Sequence, residues 1–320
     1  MTNNNPRVRN NIGLQTGHHK DSSLEFKPFS LKDVKKLDSV FNTAAHFRSC
    51  DFTLGGMYMW INYFGYRHAM TANGTLYVSG LSEEDTLTPA FSLPLGCDSP
   101  DAGVEELREY CTRQHRQLRL SAVPESALET LQSCNPKYIK ELPQWADYLY
   151  NAEDLATLTG KRFNKKRNHV NRFLTDNPGF CFRPLIDEDI PQVLGFLKQL
   201  TPDTENPMAI YEHSQTVRLV ERLKEFPMEG GVLQTPSDGI VAFTIGETRG
   251  DTLHLHIEKM RHDIPGAGES INKFFAEYML QQYPELQYIN RQDDGGDPGL
   301  RQAKLSYHPV RMVKKFEVIF

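Results

Sequence analysis

The sequence predicts two α/β domains of one topology joined in tandem. Three observations carry this: a length that suits two cores, a short segment that recurs in the second half, and an order of strands and helices that repeats after it. The chain has 320 residues, and at about 150 residues per domain that is roughly two units, each able to bury its own core. Leu24-Glu-Phe-Lys-Pro-Phe-Ser-Leu-Lys-Asp-Val34 aligns without a gap on Phe180-Cys-Phe-Arg-Pro-Leu-Ile-Asp-Glu-Asp-Ile190. The alignment pairs Phe26 with Phe182, Lys27 with Arg183, Pro28 with Pro184 and Asp33 with Asp189. Each copy reads as a short strand closed by proline, then a helix whose first turn carries acids that suit its dipole, Asp33 in one and Asp187 to Asp189 in the other.

Later elements repeat in the same order. In the first half, 57–90 reads as strand-like aromatic runs with an Asn73-Gly74 hairpin signal. A helix over 104–115, a strand over 117–122 and a helix opened by Pro124-Glu125-Ser126 follow. In the second half, 231–235 and 240–247 read as strands around a Pro-Ser-Asp-Gly turn, and 251–259 alternates as another strand. A helix over 269–282, a strand over 286–290 and a helix over 300–307 complete it. The expected domains are 24–150 and 151–320, with residues 1–23, polar throughout, as a disordered tail.

Composition excludes several classes. The net charge is -5, so any contact with nucleic acid or anionic lipid must come from a local patch. The opening segment lacks the apolar stretch of a signal peptide, and nowhere do about 18 apolar residues run together, so no transmembrane segment is expected. Five cysteines with no C-x-x-C pair suit a reducing cytoplasm better than disulfides or zinc. The expected location is cytoplasmic.

Four segments carry candidate chemistry. The first, 161–173, holds six basic residues and no acid. On a helix it would be amphipathic, with Lys161, Lys165 and Arg172 opposite Phe163, Val170 and Leu174. It reads either as a solvated face or as a site for a phosphate-rich ligand such as the 3′ end of a tRNA, coenzyme A or a lipid headgroup, with Lys161, Arg162, Lys165, Lys166 and Arg172 as contacts. The second, Leu253-His-Leu-His-Ile-Glu-Lys259, puts His254, His256 and Glu258 on one strand face. The two histidines lack a third ligand at suitable spacing, so no metal is expected. Glu258 reads as a general base or, equally, as a surface partner of Lys259 or Arg261.

The third, Asp263-Ile-Pro-Gly-Ala-Gly268, joins a strand to a helix start. Gly266, Ala267 and Gly268 there could cradle an anion on backbone N–H groups, or simply start the helix. The fourth runs from Asn290 to Pro309, where a strand ends in an acidic glycine loop and the next helix delivers Arg301, Lys304 and Tyr307. Asp293, Asp294 and Asp297 lack the position-12 ligand of an EF-hand, so calcium is not expected.

With these pieces in place, the chain resembles the soluble family related to the C-terminal domain of phosphatidylglycerol lysyltransferase. The resemblance rests on Asp51-Phe-Thr-Leu-Gly-Gly-Met-Tyr-Met-Trp60, on 160–169, on His256-Ile-Glu-Lys259, and on Tyr288-Ile-Asn-Arg291 through the stretch 299–309. It implies two tandem acyltransferase domains of the GNAT type, each a mixed, mostly antiparallel sheet flanked by helices, as in the Fem aminoacyltransferases. It further implies a donor site at Gly266, Ala267, Gly268, Asn290 and Arg291, and a general acid at Tyr307, four residues after Ala303. Asp263 stands where the GNAT pyrophosphate loop usually has Gln or Arg, and an acid there would repel phosphate. An aminoacyl-tRNA donor is therefore favoured over acyl-CoA, with neither tightly bound as a cofactor. The expected function is acyl or aminoacyl transfer to an amine or hydroxyl, with a phosphatidylglycerol-like lipid met at the bilayer surface as one acceptor. The alternative is a non-catalytic RNA- or anionic-ligand-binding module on a degenerate acyltransferase fold.

Overall fold

The computed structural model describes residues 24–97, 99–200 and 205–320. The tail expected at 1–23 lies outside the described residues. In chain order the first half supplies β1 (Lys27–Pro28), α1 (Val34–Thr43), α2 (Leu54–Trp60), β2 (Arg67–Met70), β3 (Leu76–Leu81), β4 (Pro89–Phe91), α3 (Pro100–Arg113), β5 (Arg119–Pro124), α4 (Leu128–Ser133), β6 (Tyr138–Glu141) and β7 (Asp147–Asn151). The second supplies α5 (Ala152–Thr157), α6 (Asn164–Asp176), β8 (Cys181–Pro184), α7 (Ile190–Gln199), α8 (Pro207–Val220), β9 (Glu229–Thr235), β10 (Gly239–Arg249), β11 (Thr252–Met260), α9 (Ala267–Gln282), β12 (Tyr288–Asn290), α10 (Pro298–Leu305), β13 (Arg311–Val313) and β14 (Lys315–Ile319).

These strands form two seven-stranded mixed sheets. The first runs β1-β2-β3-β4-β5-β14-β6, and the second, read from the matching edge, β8-β9-β10-β11-β12-β7-β13. The two orders correspond position by position. In each sheet the fourth and fifth strands are parallel and the other neighbours antiparallel. The halves exchange a strand: β7 enters the second sheet, and β14, the last strand, returns between β5 and β6 of the first. The sheets therefore do not divide the chain at residue 150, since 147–151 serves the second and 315–319 the first.

The recurring segment has a physical basis. Asp33 accepts from the Ser30 N–H at 3.0 Å and pairs with Lys27 at 3.7 Å. Its counterpart Asp189 accepts from the Ile186 N–H at 3.0 Å and pairs with Arg183 at 2.5 Å. In both copies one carboxylate occupies orphan donors at a helix start and fixes the basic residue of the preceding strand.

One element departs from expectation. Residues 57–60, read as strand-like, belong to α2, whose N-cap Thr53 Oγ1 accepts from the Gly56 N–H at 3.1 Å. Leu54, Met57 and Met59 are buried in a core shared by Phe41 of the first half and Val193, Leu219 and Ile257 of the second. Each such side chain contributes about 1.5–3 kcal/mol on burial. Trp60 stacks on Tyr211 of α8, ring centroids 5.6 Å apart.

A buried ion network ties the halves together above this core. Glu247, fully buried on β10, accepts from the N–H groups of Leu54 at 3.0 Å and Gly55 at 2.7 Å, and from Arg249 Nε at 2.8 Å. Arg249 also reaches Asp38 at 2.5 Å and Asn42 at 2.8 Å on α1. Burial alone would raise the pKa of Glu247, but His256, Arg249 and the Gly55 N–H outweigh it and bring it down to about 2. The five cysteines are unbridged; Cys50 and Cys111 are buried and Cys181 is exposed. Among the described residues no helix is long and apolar enough to cross a membrane.

Candidate active site

The parallel pair β11 and β12 stays in register only from Thr252 and Tyr288 to His254 and Asn290. Beyond that β11 continues to Met260, while the other strand turns away through Gln292, whose φ is 58°. The strands splay, and polar side chains fill the gap. Glu258 accepts from Arg291 Nη2 at 2.6 Å and from Asn272 Nδ2 of α9 at 3.1 Å. The Arg291 guanidinium lies 4.8 Å from the centroid of the Tyr307 ring, and Lys166 Nζ of α6 lies 3.9 Å from the same centroid. Lys166 also meets Glu269 at 3.4 Å. The sequence candidates Glu258, Arg291, Tyr307 and Lys166 thus converge, joined by Asn272, Glu269 and Tyr150, whose ring centroid lies 6.4 Å from that of Tyr307; sequence reasoning did not single out these three.

Electrostatics differentiate the members. Burial, only partly countered by Arg291, drives the Tyr307 phenol well above its usual range, so it stays protonated. Burial opposes the charge on Arg291, but Glu258 outweighs it and keeps the guanidinium ionised. Its Nη1 is buried with no hydrogen-bond partner. Burial lowers the pKa of Lys166 although Glu269 opposes the change.

The remaining candidates sit elsewhere. Gly266, φ 82°, starts α9, and a Cβ there would lie 2.2 Å from the His169 carbonyl oxygen. The glycine turn is thus pressed beneath α6, with Gly266 and Ala267 buried and only Gly268 partly exposed. Asp263 is paired with Arg261 at 2.6 Å, which offsets its charge without opening the loop. Asn290 is fully buried and donates to the Arg48 carbonyl and to Asp147, each at 2.8 Å, so it fastens the halves together. Arg301 is held by Asp294 at 2.9 Å. Lys304, also buried, donates to the carbonyls of Arg291 at 2.8 Å and of Asp293. It shapes the 291–293 turn.

On the basic segment, Val170 and Phe173 of α6 and Phe163 just before it are buried. Arg162 pairs with Asp154 at 2.6 Å and Arg172 with Asp176 at 3.3 Å. Lys161 and Lys165 are exposed and carry no ion pair among the described residues. His254 is buried and held neutral, burial and His256 bringing its pKa to about 3. His256 Nδ1 meets Gln292 Nε2 at 2.9 Å, and its Nε2 faces Glu247 at 3.4 Å. Among the described residues one trio of potential metal ligands comes together, Cys50, Asp147 and Asp293. Lys315 Nζ already sits 2.9 Å from Asp147 and 3.4 Å from Cys50 Sγ.

Two cavities are lined mainly by the first half and closed by residues of the second. One is apolar, between α1, α2 and α8, with Arg218 and Arg222 on its lining. The other opens between β4 and β5, the counterparts of β11 and β12, and reaches Gln292 and Asp293.

Two like sheets with a parallel pair that splays, a strand exchanged between them and a helix start packed beside the splay define a tandem GNAT-like transferase fold. The chain belongs to the family described as phosphatidylglycerol lysyltransferase, C-terminal, whose model matches residues 43–319. A conserved protein of unknown function from Bacteroides thetaiotaomicron is 28% identical, with a TM-score of 0.82 over 93% of this chain and 99% of that one. L-PGS from Bacillus licheniformis is similar in fold, at 13% identity and a TM-score of 0.57 over 81% and 89% of the two chains. FemX shares the fold at 8% identity and a TM-score of 0.56 over 92% and 97%. An uncharacterised protein of Mycoplasmoides gallisepticum is 25% identical over 181 residues, 54% of this chain; the match spans about half, 55%, of that relative's length.

Proposed function

We propose that this chain is an aminoacyl- or acyl-transferase that moves the acyl group of a tRNA ester to a hydroxyl or amine, with the reaction at the splay of β11 and β12. One observation carries the reading: a carboxylate, a buried guanidinium with an unused N–H and a buried phenol converge there. The acceptor must lose a proton before or during attack, and Glu258 accepts it. Arg291 Nη1, free of protein partners, is a preorganised donor for the oxyanion that develops on the carbonyl. Tyr307, protonated because it is buried, gives its proton to the departing ribose oxygen. The bond from acyl carbon to leaving oxygen breaks, and the bond from acyl carbon to acceptor forms.

The burial of Gly266 and Ala267 beneath α6 argues against a pyrophosphate cradle and so for aminoacyl-tRNA over acyl-CoA. Lys161 and Lys165 are the phosphate contacts. The family name suggests a lipid hydroxyl on a phosphatidylglycerol-like acceptor. Leu305 and Val310, each 49% exposed, flank His308, whose Nε2 meets the Arg162 carbonyl at 3.1 Å. This sets apolar surface beside the cations, which suits an anionic bilayer.

A direct assay supplies tRNA charged with labelled amino acid, together with phosphatidylglycerol vesicles, and counts label extracted with the lipid. Glu258→Gln and Tyr307→Phe should each reduce transfer by about 10²–10⁴-fold with little change in tRNA binding. A second reading, a non-catalytic RNA or anionic-ligand binder, is favoured by one fact: Glu258 and Tyr307 line neither cavity described above. Retained tRNA binding without transfer from aminoacyl-tRNA or acyl-CoA would sink the transferase and leave that reading.

A further inference from the structure

The cavity between β4 and β5 combines aromatic walls with an acidic floor. Trp60, Phe64, Tyr66 and Trp145 line its sides. Gly80 makes room for this wall, since a Cβ there would lie 2.6 Å from Tyr66 Cδ1. Asp51, Glu83 and Asp293 line the polar end, with Asp147 just behind. Lys315 Nζ, 2.8 Å from Asp51 and 2.9 Å from Asp147, is the ammonium already lodged among these carboxylates.

One ammonium does not satisfy the set. Glu83 is 7% exposed, and its backbone N–H is held by Ser121 Oγ at 3.2 Å; its carboxyl shares a hydrogen bond with Asp51, and its Oε2 is buried and meets no N–H or O–H donor of the chain. Across the same cavity Trp145 Nε1 is also buried without a partner. A buried carboxylate oxygen left unpaired is costly, and more so than a neutral group. Burial, the Asp51 charge and the hydrogen bond shared with Asp51 push Glu83 well above the carboxylate range, and burial, reinforced by Asp147, raises Asp293 to about 6; with the cavity empty Glu83 keeps a proton shared with Asp51, which an ammonium ion seated there displaces to solvent.

We propose that this cavity binds an organic ammonium ion: a ligand whose protonated amine lies against Glu83 and Asp293, whose hydrocarbon part lies among the aromatic rings, and whose acceptor oxygen meets Trp145 Nε1. Aromatic faces attract organic cations, and the nearby Lys315 shows that the pocket chemistry accommodates an ammonium. A metal ion is the weaker occupant, because Cys50 and Asp147, two of the three potential ligands, already contact Lys315. The proposal goes beyond the transferase reading and stands without it, since neither Glu258 nor Tyr307 lines this cavity.

Trp60 and Trp145 are the chain's two tryptophans and both line the cavity, so intrinsic fluorescence reads its occupancy. Titration of the full chain with n-pentylammonium at pH 7 should give a saturable emission change that 1-pentanol does not. Glu83→Gln should weaken the amine by at least about tenfold, the loss expected when a charged hydrogen bond is removed. Asp293→Asn, at a less buried position, should shift it in the same direction. An equal response to pentanol, or unchanged amine affinity in both variants, overturns the proposal and leaves an apolar cleft. Saturation by Mg²⁺ or Zn²⁺ with none by the amine overturns it in favour of a metal. Because binding needs no turnover, a chain that binds the amine but transfers nothing refutes the transferase and spares this site.

Discussion

Replacing Glu247 by glutamine tests the bond between the two halves most directly. The carboxylate is fully buried and receives two backbone N–H groups at the start of α2 together with Arg249. Its pKa falls from 4.5 to about 2. At about 1.4 kcal/mol per pH unit, that shift corresponds to on the order of 3 kcal/mol of stability. The sign follows from linkage: a depressed native pKa stabilises the fold fully above the unfolded value of 4.5, and the contribution is lost as pH falls from there through about 2. Urea unfolding at pH 7 should therefore show Glu247→Gln less stable by about 3 kcal/mol. Between pH 4.5 and 2 the wild-type chain should lose that advantage, so the two stability curves approach each other. A difference within about 0.5 kcal/mol at pH 7, the range of ordinary surface substitutions, or curves that stay parallel through the acid range, would refute the reasoning.

Three further outcomes follow from the geometry. Gly55→Ala places a methyl 2.4 Å from His256 Cδ2 and 2.6 Å from Met228 Cε; the imidazole is fixed by Gln292 and cannot easily yield, so urea unfolding should show a loss of about 1–3 kcal/mol. On α6 and the turn before it, the double change Lys161→Ala and Lys165→Ala should weaken tRNA binding and lower its salt slope by about 0.7–0.9 for each phosphate no longer neutralised. Lys166→Ala should instead cost stability, because that ammonium is committed to Glu269 and Tyr307. Filter binding across a salt series separates the two, and an unchanged slope in the double variant restores the solvated-face reading of the basic segment.

Local pattern made part of this legible. The alternation of 251–259 and the helix read at 269–282 predict β11 and α9 within two residues at each end; β11 is nevertheless buried on both faces from Thr252 to Ile257, so its alternation records the buried polar side chains His254 and His256 rather than a solvent face. Residues 57–60 misled for the converse reason: α2 is packed between the halves, and a short, nearly all-round apolar run carries no period to distinguish helix from strand. Glu258 is legible in the sequence as a candidate carboxylate, but its partner is not. Lys259 follows it on a strand and points to the opposite face, where it meets Glu212 at 2.6 Å, while Arg291 arrives from 33 residues away. The buried charges Glu247 and Lys315 left no signal that distinguishes them from surface charges, since their burial depends on the other half of the chain. Which sheet β14 joins was equally invisible, because strand propensity specifies conformation and not the neighbour.

The return of β14 to the first sheet has a consequence for synthesis. On the ribosome, β5 and β6 emerge more than 170 residues before the strand that must sit between them, so the early half waits with two open edges until residues 315–319 have emerged. The order in which the halves are made is therefore not an order in which they can be finished. A chain halted anywhere before residue 315 leaves the domain made first incomplete, and a fragment ending near residue 150 lacks its sixth sheet position while carrying β7 with no sheet to enter. A truncation just before residue 315, far along the chain from the first half, would therefore fall on that half's sheet.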